Sequence, residues 1–121
     1  MPAKSLVEHW QARIKPMCGD TVSLPFERYL DAAAMLRAQA GLIPQDTDER
    51  WFALCLEGEI ALCRAHSGHQ IYRLPLRRAD AAGGFVAGPL EVIADEKIYR
   101  PLGAAFDLRT ATLLLNRLTA E

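Results

Sequence analysis

Two apolar runs, Trp51–Leu56 and Ile60–Ala65, flank the short polar stretch Glu57-Gly58-Glu59. Apolar runs of this length around a glycine-containing loop predict a β-hairpin. With a three-residue loop, Trp51, Ala53 and Cys55 share a face with Ala61, Cys63 and Ala65. Phe52, Leu54 and Leu56 then share the other with Ile60, Leu62 and Arg64. Both faces are largely apolar, so the hairpin is expected to be central and covered on both sides. This constrains the chain most, because every other element must supply that cover.

Three helices are available for it. Ser5 and Glu8 stand in the spacing of a capping box, and Leu6, Val7, Trp10 and Ile14 follow at helical intervals, predicting a helix over 6–15. A second helix is expected from a Ser23 cap through Pro25, with Phe26, Tyr29, Leu30, Ala33, Leu36 and Ala40 on one face and Gly41 beyond its end. A third is expected after a cap at Asp107, with Leu108, Ala111, Leu114, Leu115 and Leu118 as its stripe.

Further strands are expected at 70–74, 85–87 and 90–94, with a short pairing strand at 97–99. Pro75 is expected to confine the first to an edge or a bulge, and residues 77–84 to form a connection. The strand connections are too short for parallel crossovers. The fold class is α+β: a single antiparallel sheet of four to six strands around a central hairpin 51–65. Two N-terminal helices and one C-terminal helix pack mainly on one face, in one domain over 1–121.

Composition limits the setting. The 121 residues carry a net charge of −1 and 3 cysteines without framework spacing, which argues against a polybasic arm or a disulfide scaffold. Arg outnumbers Lys by 11 to 3 and Ala and Leu are abundant, a bias expected of a bacterial protein. No apolar run approaches the roughly 20 residues of a membrane helix, and the opening residues show no apolar leader, so a cytoplasmic chain without membrane contact is expected.

Cys63, His66 and His69 have ligand-like spacing, but a closed zinc site needs a fourth donor; a buried thiol beside a turn is the simpler reading, and no metal or cofactor is expected. Gly83, Gly84 and Gly88 lack the Lys-Ser/Thr of a phosphate loop and read as turns. No paired carboxylates or triad spacing point to catalysis. Three functional readings follow. The first is a non-catalytic protein-binding module of chaperone, inhibitor or immunity type, bound to another protein and homodimeric through Trp10, Phe52, Leu54 and Leu56. The second is a small-ligand or enzymatic domain with a pocket near Cys63, His66, His69 and Tyr72. The third is nucleic-acid binding through the basic stripe Arg64, Arg73, Arg77 and Arg78, which is not favoured because Tyr72 is its only ring.

Overall fold

A computed structural model describes residues 5–121. Residues 1–4, part of the segment read for a leader, lie outside the described residues. The chain runs α1 (Leu6–Arg13), β1 (Thr21–Leu24), β2 (Arg28–Leu30), α2 (Ala32–Ala38), β3 (Trp51–Leu56), β4 (Glu59–Arg64), β5 (Gln70–Arg78), β6 (Phe85–Ala87), β7 (Leu90–Ile93) and α3 (Ala104–Leu118). All strand pairing is antiparallel, and the class is α+β with a single sheet.

The seven strands form five rows. Row order is β3, β4, β5, then β6 and β7 together, then β1 and β2 together. β6 and β7 run along one side of β5, and β1 and β2 run along β7 and β6 in turn. β3 is therefore an edge strand, and the hairpin is not central as expected.

Its loop has two residues, not three: Leu56 pairs with Glu59, and Gly58 takes the left-handed φ of 80° that a side chain disfavours. This single residue changes the faces, because strand side chains alternate with period two. Phe52 lies opposite Cys63 and Leu54 opposite Ala61 on one face. Ala53 lies opposite Leu62 and Cys55 opposite Ile60 on the other.

Those faces feed two cores. Phe52, Leu54, Ala61 and Cys63 pack under Val7, Trp10 and Ile14, so α1 covers this side. The Trp10 and Phe52 ring centroids are 4.9 Å apart. The larger core on the other face gathers Ile60, Leu62, Tyr72, Leu74, Leu90 and Val92 under Ala34 and Ala38 of α2 and the α3 stripe. Ala111, Leu114, Leu115 and Leu118 are buried as expected, and Leu108 is half-buried.

Several local expectations change. Ser5 caps α1, its Oγ accepting from the Glu8 N–H at 3.1 Å, but the helix stops at Arg13 because Lys15 pairs with His69. The helix expected from Ser23 is two strands followed by a shorter helix capped by Asp31, whose Oδ1 accepts from the Ala34 N–H at 2.8 Å. Pairing with β6 and β7 outweighs the helical spacing of Phe26, Tyr29 and Leu30. β5 continues through Pro75 to Arg78, so the connection is shorter than 77–84. Pro75 lies in the central row; its carbonyl accepts from the Gly88 N–H, and the register between β5 and its partner slips by one residue there. The extra residue of that slip lies in the 88–90 segment, and Pro75 itself pairs in register with Glu59 of β4. The proline is therefore in an inner strand opposite the break between β6 and β7, not at an edge or a bulge of its own strand as expected. A turn at 96–98 stands in place of the strand expected at 97–99, and Tyr99 lies in the loop that follows it.

Candidate functional site

Asp107 is on the buried stripe of α3, four residues before Ala111, and does not cap the helix; Gly103 is the N-cap. The stripe aims its carboxylate at the sheet, where Tyr72 of β5 and Tyr99 of the loop before α3 meet it. Tyr72 Oη donates to Asp107 Oδ1 at 2.6 Å and Tyr99 Oη donates to the same oxygen at 2.5 Å. The two hydroxyl oxygens are 3.0 Å apart. All three residues are buried.

Aromatic stacking extends the cluster. The Trp51 and Tyr72 rings lie 5.5 Å apart and nearly parallel, and the Arg64 guanidinium sits 4.6 Å over Trp51 and 5.7 Å from the Tyr99 ring. Burial, then hydrogen bonding to Asp107, holds the Tyr72 phenol above its usual range. Burial and the same carboxylate raise Tyr99. These phenols are hydrogen-bond donors at any ordinary pH.

Among the described residues one oxygen of Asp107, Oδ1, is engaged. No donor among them reaches Oδ2, and Asp107 as a whole is 3% exposed. Asp107 lines a hollow of about 310 Å³ between the β1–β7 pair and the start of α3. Its walls are mostly apolar: Val22, Leu24, Val92, Ile93, Pro101 and Ala104. Glu96 stands at its rim.

Beside this hollow the sheet ends on β1. Asp20 accepts from the Ala94 N–H, so Val22 and Leu24 turn their backbone groups toward β7. The alternation of an antiparallel ladder then points the N–H and C=O of Thr21 and Ser23 outward. Thr21, Val22 and Ser23 are exposed, and Val22 keeps 52% of its surface in solvent. The other edge is better protected: Leu42 exchanges two backbone hydrogen bonds with Ala53 across the outside of β3.

The residues expected to form a ligand pocket do not meet. Tyr72 and Cys63 lie on opposite faces of the sheet, both fully buried. His69 is half-buried and His66 exposed. His66 lines shallow hollows with Arg64, Arg50, Glu49 and Thr47, and with Trp10 and Arg13, but none of them includes Cys63, His69 or Tyr72. No group of three metal-ligating side chains occurs among the described residues. The cysteines are free, and burial pushes the Cys63 thiol up to about 12.

The basic stripe is likewise divided. Arg64 stacks on Trp51, Arg73 pairs with Glu91, and Arg77 pairs with Glu27 at 2.8 Å. Arg78 lies beside the Asp80 carbonyl at 3.5 Å. Arg64 is on the α3 side of the sheet, whereas Arg73 lies opposite Ala61 on the α1 side. The face expected to make a dimer is occupied within one chain: Phe52 and Leu54 are buried beneath Trp10, and Leu56 is half-buried. The short α1 suffices because Phe52 and Leu54 stand across from the small Cys63 and Ala61.

The sequence pattern predicts Asp107 as a cap and Tyr99 as a strand residue, whereas the fold brings both into the buried cluster. The available signal was an acid on an apolar stripe, spaced 107, 111, 114 and 118. Comparison with family models, curated proteins and solved structures finds no match for this chain. Among the described residues no helix is long and apolar enough to cross a membrane.

Proposed function

We propose that the chain is a non-catalytic protein-binding module that takes up an extended segment of a partner protein along β1. The observation that supports this is an uncharged edge strand with outward backbone donors and acceptors, set beside an apolar hollow. Such an edge is a template for one more strand, with backbone hydrogen bonds giving affinity and neighbouring pockets giving selectivity. Nucleic-acid binding has less support, because Arg64, Arg73 and Arg77 are engaged within the chain and lie on different surfaces.

Hydrogen exchange tests the reading. The probe is a heptapeptide of alternating threonine and valine with a central lysine. In the free chain the Thr21 and Ser23 amides exchange quickly; with the peptide bound they become protected. Ser23→Pro removes an outward donor while leaving the inner ladder intact, and it abolishes that protection. Peptide binding with both amides still fast, or no binding at all, refutes the reading.

A further inference from the structure

We propose that the hollow beside β1 receives a lysine or arginine side chain of the bound segment, its cationic head reaching Asp107 Oδ2. This rests on the reading of β1 as the docking edge and adds the chemistry of the residue it selects.

Three observations converge on a basic anchor. The first is position. Val22 and Leu24 project from β1 into the hollow, and a strand added to β1 lies about 4.8 Å farther out. Alternate residues of the added strand point to the same face as Val22 and overhang the opening. The second is chemistry. A mostly apolar wall leads to a buried carboxylate with one oxygen lacking a donor among the described residues. Lysine and arginine carry an apolar stem with donors only at the tip, and that order of groups matches the order of the walls. The third is charge. Asp20 precedes β1, and Asp95 and Glu96 follow β7, so three carboxylates gather at this end of the pair, against Lys97 and Arg100 in the loop after β7. They favour a cation at the opening and disfavour an acidic residue.

Size agrees with a single side chain. About 310 Å³ is at the lower limit of small-molecule clefts, and Val22 and Leu24 of β1 form part of its lining. Tyr72 and Tyr99 hold Oδ1, which fixes the carboxylate of a residue that lines the hollow. The anchor site is therefore built before the partner arrives, and little ordering is lost on binding.

The test uses n-pentylammonium as the probe for the hollow, compared with 1-pentanol and pentanoate. Methyl resonances of Val22, Leu24 and Val92 report occupancy. The ammonium ion is expected to bind at millimolar concentration and about ten-fold or more tighter than the alcohol, the range of a charge-assisted hydrogen bond. Asp107→Asn removes that preference. Ala104→Phe fills the hollow from its exposed rim without touching the carboxylate, and it removes binding of every probe. Equal binding of ammonium and alcohol, ammonium binding unchanged in either variant, or no ammonium binding overturns the proposal.

The heptapeptide separates this proposal from the reading beneath it. Versions with lysine, norleucine and glutamate at the centre are compared for protection of the Thr21 and Ser23 amides. Protection strongest with lysine supports the anchor. Equal protection by all three keeps the docking edge and overturns the anchor. Ammonium binding without protection by any peptide keeps the cation site and overturns its assignment to a segment on β1.

Discussion

Replacing Tyr72 by Phe removes one oxygen atom from the buried cluster and leaves the ring stacked on Trp51. The lost hydroxyl donates to Asp107 Oδ1 at 2.6 Å, and Tyr99 still donates to that oxygen. A hydrogen bond to a charged group contributes about 1.5–3 kcal/mol, and the remaining donor places the loss near the lower end, about 1.5 kcal/mol. Tyr99→Phe is expected to lose a similar amount for the same reason. The double variant leaves Oδ1 buried with neither donor, so it loses more than the two single changes together, by about 1–2 kcal/mol. Urea denaturation measures this as a fall in midpoint at unchanged slope. At about 2.1 cal/mol/K per residue for 121 residues, each single change lowers the melting temperature by about 6 °C. Additive single effects, or a loss under about 0.5 kcal/mol for Tyr72→Phe, refute the shared-oxygen network.

The three thiols are expected to react with a labelling reagent in the order Cys18, Cys55, Cys63, since they are exposed, half-buried and buried; rapid labelling of Cys63 in the folded chain contradicts the arrangement under α1. Stability carried by the protonated Cys63 thiol is fully present below its usual value of 9.0 and is lost as pH rises toward about 12, with the raised Tyr72 and Tyr99 phenols adding to the loss above 10.0. Urea midpoints across this alkaline range check the sign, and Cys63→Ala reduces the fall. Reversing Arg77 and Arg78 to Glu leaves stability within about 0.5 kcal/mol because both are exposed, whereas Arg73→Leu loses about 1 kcal/mol through the less exposed Glu91 pair. Equal urea midpoints for the two variants refute that contrast.

Much of the fold is legible where local and tertiary preferences agree. Ser5 caps α1, the α3 stripe faces the core, and the strands at 85–87 and 90–93 lie where glycine and proline punctuate apolar residues. The second helix differs from its expectation because Ser23, Pro25 and the spacing of Phe26, Tyr29, Leu30 and Leu36 imitate a capped amphipathic helix. In the fold Tyr29 and Leu36 are exposed, and Ala34 and Ala38 make the buried side. Small residues carry little hydrophobic signal, yet they let α2 lie close to the sheet. The hollow was illegible for a different reason. Val22, Val92 and Asp107 are far apart in sequence, and only the return of β1 to pair with β7 joins them.

The two-residue hairpin loop also decides which surface is left for a partner. With a third loop residue, Phe52, Leu54 and Leu56 would share a face with Ile60 and Leu62, more bulk than an eight-residue helix covers. The observed register divides that bulk. Phe52 and Leu54 take the α1 side with Ala61 and Cys63, and Ile60 and Leu62 take the α2 and α3 side. Each face is then closed by helices of the same chain, and the apolar shortage that suggested face-to-face dimerisation disappears. The unpaired backbone on β1 is unaffected by this division, because side-chain burial does not satisfy outward N–H and C=O groups. It follows that a change confined to the loop should act on the α1 side first. Inserting one glycine after Gly58 is expected to expose Phe52 and loosen α1, while β1, at the opposite edge, retains its pairing with β7. Hydrogen exchange of the Val22 amide, unchanged beside faster exchange in α1, would agree with that separation; simultaneous loss at both would show that the two edges are coupled.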